Sequence, residues 1–173
     1  PLWDGNEVWL LTAGGVTFAA FPLVYAVMFS SLYSPLMLIL FALILRGVSF
    51  EFRNKVQSVA WKKVWDACIF VGSFLPALLF GVAFANIFKG IPFDQDGIYL
   101  GNLFTLLNPY GLLGGLLFLS LFLIHGSLWL AIRTDGDLAQ RAESLAGKLW
   151  PVLTGVAVVF LVATYIFTPL YDN

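Results

Sequence analysis

The chain has 173 residues, of which 60% are hydrophobic and 11% are charged, and its formal net charge is −1. Soluble domains carry about 25% charged residues, so this composition excludes an ordinary soluble fold and indicates a protein that has lipid as its solvent. The small net charge and the lack of a basic cluster with stacking aromatics speak against a nucleic-acid partner. A single cysteine, Cys68, excludes a disulfide framework or a cysteine-based metal site within the chain.

The first apolar segment runs from about Asp4 to Ser30 and predicts a membrane-spanning helix that is kinked by Pro22. Asp4 and Glu7 open it and lie on one face of the helix, because they are three residues apart. These carboxylates can cap the helix start. They can also form the entrance of a proton route, since ionisable groups inside a membrane commonly mark such paths. The residues alone leave both interpretations open.

Small residues follow the two carboxylates in this first segment. Gly14 and Gly15 lie among Ala13, Ala19 and Ala20. Because none of them has a bulky side chain, they predict a surface that another helix can approach closely.

Four further segments are long enough to span, since a crossing takes about 20 residues. They cover about 36–50, 65–88, 111–132 and 149–167. Between them lie a basic loop at 53–63, a connection at 89–110 and a polar link at 133–148. The apolar piece 100–107 is too short to span and predicts an interfacial or re-entrant turn. We therefore predict an all-α, polytopic membrane helix bundle of about five transmembrane helices, forming one unit over residues 1–173.

The positive charges orient this predicted bundle. All Lys and Arg residues except Lys89 lie at or beside the 53–63 and 133–148 loops. The positive-inside rule makes the side of these two loops cytoplasmic. Lys55 and Lys148 are then cytoplasmic and Asp96 is outside. Asp4 and Glu7 are expected at the cytoplasmic end of the first span.

His125 and Arg46 are the other marked residues inside predicted spans. His125, the single histidine, is either a haem ligand or a packed side chain that hydrogen-bonds a neighbouring helix. Arg46 lies in the last turns of its helix, where it either snorkels to water or pairs with an acid of another helix or subunit. Asp66 and Glu51 are expected to be wetted or capping groups. No spacing typical of a zinc site, a phosphate loop or a nucleophile–His–acid arrangement occurs, so no catalytic residue is expected in this chain.

A set of short motifs extends over nearly the whole chain. They are Trp3-Asp4-Gly5-Asn6-Glu7-Val8-Trp9, Thr12-Ala13-Gly14-Gly15, Phe18-Ala19-Ala20-Phe21-Pro22, Phe50-Glu51-Phe52-Arg53-Asn54-Lys55, Trp65-Asp66, Gly72-Ser73-Phe74-Leu75-Pro76, Gly81-Val82-Ala83-Phe84, Leu107-Asn108-Pro109-Tyr110-Gly111-Leu112-Leu113-Gly114-Gly115, His125-Gly126-Ser127-Leu128 and Arg133-Thr134. In this order they resemble subunit II of the cytochrome bd-type quinol oxidase family. The opening motif is the most specific of them.

The resemblance implies a haem-free subunit in the bacterial cytoplasmic (inner) membrane. Its partner, the haem-bearing subunit I, is expected to hold haems b558, b595 and d and the quinol site, and small accessory subunits and lipid are possible additions. By the same resemblance Asp4 and Glu7 belong to a proton pathway toward haem d, Trp9 lies beside an oxygen route, and Arg46 lies near the subunit boundary. Glu7 stands where some members of the family have Gln.

The family pattern also contains a helix before this first segment and helices after the last one, so we interpret the chain as a fragment of a longer subunit. The expected function is that of a haem-free subunit of a quinol:oxygen oxidoreductase in an aerobic respiratory chain, giving protons and oxygen access to haem d. This chain itself is expected to bind no cofactor or metal. The alternative is a subunit of a small-solute transporter or channel, because Pro22 and Pro76 inside spans also suit broken transporter helices.

Overall fold

The computed structural model describes residues 2–171, apart from the side chains of residues 2–5 and 7. Its helices are α1 (Leu2–Ala20), α2 (Pro22–Ser31), α3 (Tyr33–Phe52), α4 (Val59–Lys89), α5 (Leu103–Leu106), α6 (Pro109–Arg133) and α7 (Asp137–Phe167), followed by a 3₁₀ turn at Pro169–Tyr171. Within the described residues, α3, α4, α6 and α7 are long and apolar enough to cross a membrane. The prediction of an all-α, polytopic helix bundle is confirmed.

The first predicted span consists of two helices instead of one. α1 ends at Ala20 and α2 begins at Pro22, with Phe21 between them at φ −136° and ψ 62°. Pro22 has no N–H to donate to the preceding turn, which explains why the helix stops there. The bonds from Phe21 N–H to Thr17 C=O and from Tyr25 N–H to Phe21 C=O keep the two pieces in sequence. The predicted kink is therefore a helix break, and α1 and α2 together take the place of the first predicted span.

Two connections are shorter than the sequence suggests. α4 begins at Val59, so the predicted 53–63 loop is a turn over residues 53–58. α7 begins at Asp137, so most of the predicted 133–148 link is helical. In α7 the buried Ala142 and Ala146 give the polar stretch an apolar face against α6, and this packing extends the helix beyond its hydrophobic part.

α4 lies at the centre of the bundle, with α3 and α6 packed against it, and α7 packs against α6. α4 and α6 cross at glycines: a Cβ on Gly81 would lie 2.2 Å from the carbonyl oxygen of Gly114. At the other crossing, a Cβ on Gly72 would lie 2.6 Å from the carbonyl oxygen of Ala42 in α3. Small residues thus let these helices approach backbone to backbone, as is usual in membrane bundles.

The small residues of α1 do not take part in such a crossing within this chain. Around Gly14 and Gly15, no atom of a described neighbouring helix lies within 4 Å of where a Cβ would be. The expectation that another helix can approach closely at these glycines therefore stays a prediction. Toward the described helices, α1 leaves its glycine face open.

The connection between α4 and α6 folds back over the end of the bundle. Phe93 and Tyr99 form an antiparallel bridge, and the Asp94 carboxylate accepts the N–H groups of Asp96 and Ile98 at 3.0 and 2.8 Å. The short helix α5 follows, and the predicted interfacial piece at 100–107 contains it. Leu106 is buried in a cluster with Leu32, Val82 and Ala83. The 100–107 segment therefore packs against the helix bundle through Leu106.

Two asparagines attach this connection to both neighbouring helices. The Asn86 amide nitrogen donates to the carbonyl oxygens of Val82 (2.7 Å) and Leu106 (2.8 Å). Its amide oxygen accepts from Asn108 at 2.8 Å, and Asn108 caps α6 by accepting from Gly111 N–H. Asn86 is 5% exposed, so the whole arrangement lies inside the bundle with its polar atoms satisfied.

Candidate functional site

A cleft of about 760 Å³ lies between the start of α1 and the middle parts of α3, α4 and α6. Most of its wall is aliphatic or aromatic. Four polar side chains interrupt that wall, one from each helix: Asn6, Arg46, Ser73 and His125. Polar groups at the level of membrane-spanning helices are costly and concentrate at functional sites, so this cleft is the candidate site of the chain.

Arg46 comes from α3 at a place where α4 passes very closely. A Cβ on Gly72 would lie 2.8 Å from Cβ of Arg46, so only glycine allows this approach. The arginine is half-buried, and its side chain lines the cleft. Arg46 lies six residues before the last residue of α3, so its backbone is inside this candidate span.

Ser73 and Pro76 come from α4 and were not singled out as site residues from the sequence. The Ser73 hydroxyl donates to the carbonyl oxygen of Ile69 at 2.7 Å, which satisfies its donor within the helix. Pro76, inside the helix, has no N–H for the carbonyl of Gly72. A serine three residues before a proline in an apolar run is the sequence pattern that could have pointed to these two cleft residues.

His125 lies on α6 with an exposed side chain that lines the cleft. Haem iron is held by His, Cys, Met or Tyr, and among the described residues that line the cleft His125 alone is of such a type. Among the described residues, no group of three or more His, Cys, Asp or Glu side chains could hold a metal ion. The expectation that His125 ligates no iron stays a prediction.

The predicted residues of the opening motif all belong to α1. Its backbone is helical from Leu2, and Asn6 brings it to the cleft. The side chains of Asp4 and Glu7 lie outside the described residues. Trp9 is 75% exposed, beside the exposed Leu10 and other apolar side chains of α1. The structure thus brings Asn6, Arg46 and His125 to one cleft, and it leaves Trp9 on an open apolar face.

Asp66 is exposed, which agrees with the expectation of a wetted group, and it does not cap α4. α4 starts seven residues earlier, and the Asp66 carboxylate accepts two hydrogen bonds from the Arg53 guanidinium, the longer at 3.1 Å. This hydrogen bonding, together with the negative charge of Asp66, raises the pKa of Arg53 above its ordinary value. The pair is exposed and joins the end of α3 to α4, where Trp61 also donates to the carbonyl oxygen of Phe52 at 2.8 Å.

Fold and cleft together define a multi-pass membrane protein whose helices enclose a mostly apolar cleft with four polar side chains in its wall. Residues 1–171 match the family model of cytochrome bd terminal oxidase subunit II, and the chain belongs to that family. The resemblance noted in the sequence is confirmed.

Three curated relatives agree with this assignment. A probable cytochrome oxidase subunit 2 of Haemophilus influenzae is 47% identical over 92% of the chain and 43% of its own length. The cytochrome bd-I ubiquinol oxidase subunit 2 of Escherichia coli is 42% identical over 100% of the chain and 48% of its own length. The cytochrome bd ubiquinol oxidase subunit 2 of Bacillus subtilis is 42% identical over 100% of the chain and 51% of its own length. The chain thus spans about half the length of these relatives.

Proposed function

We propose that the chain is part of a haem-free subunit of a bd-type quinol:oxygen oxidoreductase in the bacterial inner membrane. The support is its family and the names of its relatives, two of which are ubiquinol oxidase subunits. The redox chemistry belongs to the partner, subunit I, which carries haems b558, b595 and d and oxidises the quinol. This chain then acts by guiding protons and oxygen to the partner.

The observation that supports the proposed proton route is the cleft. It contains Asn6, which lies between Asp4 and Glu7 in α1, together with Arg46, Ser73 and His125 at the level of spanning helices. A proton needs a chain of polar groups or water through the apolar layer, and the four polar side chains of the cleft could hold such water. Asp4 and Glu7 would load protons at the start of α1, and the cleft would conduct them inward.

The proposed oxygen route depends on the exposed apolar face of α1. Oxygen is apolar and partitions into hydrocarbon, so a route for it follows exposed apolar side chains. Trp9 is 75% exposed and is followed by Leu10 and Leu11, which are 52% and 76% exposed. We propose that this face borders the oxygen route, and that the Arg46 side of the cleft lies near the boundary with subunit I.

A transporter or channel remains the second candidate, because the same cleft contains Pro76 and the first apolar segment is broken at Pro22. Broken helices beside a cavity are typical of transporters. The two candidates differ in what the assembled protein does: an oxidase consumes oxygen at the expense of quinol, whereas a transporter moves solute without haem.

The test is Asp4→Asn in the assembled complex. Asn caps a helix about as well as Asp, so the substitution removes the protonatable group while it keeps the cap. We expect quinol-dependent oxygen consumption to fall at least about tenfold, with unchanged haem content, because an amide cannot carry protons near neutral pH.

Glu7→Gln is the matched control, and we expect a milder loss because the family resemblance allows Gln there. Normal oxygen consumption by a fully assembled Asp4→Asn complex would reject the proton route and leave a structural role for this helix. Solute uptake without any haem in the purified complex would favour the transporter instead.

A further inference from the structure

A second groove lies between the last two turns of α6 and the first three turns of α7. It has a volume of about 760 Å³ and is separate from the polar cleft, with which it shares no lining residue. Ser127 and Leu130 of α6 form one wall. The other wall is α7, from Asp137 to Lys148.

The α7 wall carries a polar stripe. Asp137, Arg141, Ser144 and Lys148 all line the groove, at intervals of four, three and four residues. This spacing puts them on one face of the helix, over a length of roughly 16 Å. The stripe holds two cations and one carboxylate, so the groove is net positive.

The stripe lies where α6 leaves the membrane. α6 has 25 residues and is a candidate span, and at about 37 Å it exceeds the ~30 Å hydrocarbon layer. Near its end the Arg133 guanidinium stacks over the Trp129 ring at 4.8 Å, an aromatic–cation pair of the type found at membrane interfaces. Because Ser127 and Leu130 share the groove with Arg141 and Lys148, these cations lie at the level of the lipid headgroups.

The cations of the stripe have no anionic partner among the described residues. Neither Arg141 nor Lys148 takes part in an ion pair there, although Asp137 lines the same groove. Beside them Leu130, Leu138 and Leu145 are 45%, 50% and 47% exposed. A ligand that fits this surface has an anionic head for the cations and an apolar tail for the leucines.

We propose that this groove binds one anionic glycerophospholipid. Its phosphate would accept hydrogen bonds from Arg141, Ser144 and Lys148, and the upper part of an acyl chain would lie on the three leucines. The net positive charge favours an anionic lipid over a zwitterionic one, since each surface cation attracts anionic lipid. The proposal does not depend on the proton route, because the groove and the cleft are separate.

The test uses the full oxidase complex in nanodiscs of phosphatidylcholine mixed with phosphatidylglycerol. Native mass spectrometry then counts the phosphatidylglycerol molecules that stay bound after release from the disc. We expect one such lipid to be lost from the Arg141→Gln/Lys148→Gln variant, with its affinity lowered about 30-fold, or roughly fivefold for each cation. Arg141→Lys keeps the charge and should retain the lipid.

The matched control is Lys55→Gln/Lys63→Gln, which removes one exposed cation from the turn between α3 and α4 and one from the start of α4, and should keep the lipid. Equal loss in this control would show that only general surface charge acts and would overturn the proposal. Equal retention of phosphatidylcholine and phosphatidylglycerol by the unaltered complex would overturn it as well. Displacement of the lipid by millimolar inorganic phosphate would indicate a site for free phosphate instead. If the double variant fails to assemble, Lys148→Gln alone, compared with Lys63→Gln, gives the same decision.

Discussion

The two ends of the bundle are built on different principles. At the loop end, which carries residues 90–108, Asn86 is 5% exposed and its donors and acceptor are satisfied by Val82, Leu106 and Asn108. At the cleft end, formed by the start of α1 and the lining residues Arg46, Ser73 and His125, a few polar side chains lie in the mostly apolar wall of an open volume of about 760 Å³.

This difference separates stability from function. Closed polar networks and backbone crossings hold α4 to α6 and to the connection between them, and they leave no room for a ligand. The cleft end keeps an open volume beside four polar side chains. Substitutions at the loop end should therefore damage the fold, whereas substitutions at the cleft end should leave the fold intact and act on transport of protons or oxygen.

The largest expected effect is that of Gly81→Ala. The new Cβ would lie 2.2 Å from the carbonyl oxygen of Gly114, and a backbone atom cannot move aside without separating α4 from α6. We expect a loss of about 3 kcal/mol or more in the free energy of unfolding, measured by unfolding the purified complex in mixed micelles with increasing dodecyl sulfate. Gly155→Ala is the control, since nothing lies within 4 Å of its Cβ position. Equal stability of the two variants would contradict the close crossing.

A smaller effect is expected for Asn86→Leu. This change keeps the approximate shape but deprives the Leu106 carbonyl and the Asn108 amide of a partner. Leaving buried polar groups unsatisfied should cost about 2 kcal/mol in the same unfolding assay. Asn54→Leu, in the exposed turn after α3, should change stability by less than about 0.5 kcal/mol. A harmless Asn86→Leu would mean that the asparagine network does not hold the loop end.

The smallest expected effect is that of His125→Ala at the cleft end. Its side chain is exposed within this chain, so the substitution should change the free energy of unfolding by no more than about 0.5 kcal/mol. The reduced-minus-oxidised spectrum of the complex should keep all its haem bands, because we expect His125 to bind no iron. Loss of one haem band in an assembled complex would show that His125 is a ligand. The cleft would then be a cofactor site, which the loop end is not.

Much of the fold could be predicted from local sequence. A hydrophobic run of sufficient length specifies a spanning helix whatever it packs against, so α3, α4, α6 and α7 were located to within a few residues at most of their ends. Pro22 removes a backbone donor by its own chemistry, and the interruption of the first segment followed. The exceptions were the starts of α4 and α7. Their first turns are polar and were therefore predicted as loops, whereas tertiary packing extends the helices through them.

The contacts between distant residues were decided by the tertiary structure alone. Arg53 and Asp66 are 13 residues apart, and Asn86 and Leu106 are 20 apart, so no helical period connects them. Such pairs depend on the path of the chain through the turns, which composition does not encode. The same holds for the open glycine face of α1, because small residues permit a close approach but do not determine which helix makes it.

What the sequence determined by itself is the membrane class, the helices and the family motif, because hydrophobicity, proline and short motifs act within a few residues of one another. What only the tertiary structure decided is that Asn6, Arg46, Ser73 and His125 face one cleft while Arg141, Ser144 and Lys148 face another groove. The four cleft residues come from helices far apart in the chain. They meet because α4 can approach α3 and α6 closely at glycines, and the geometry of those crossings fixes which faces line the space between them.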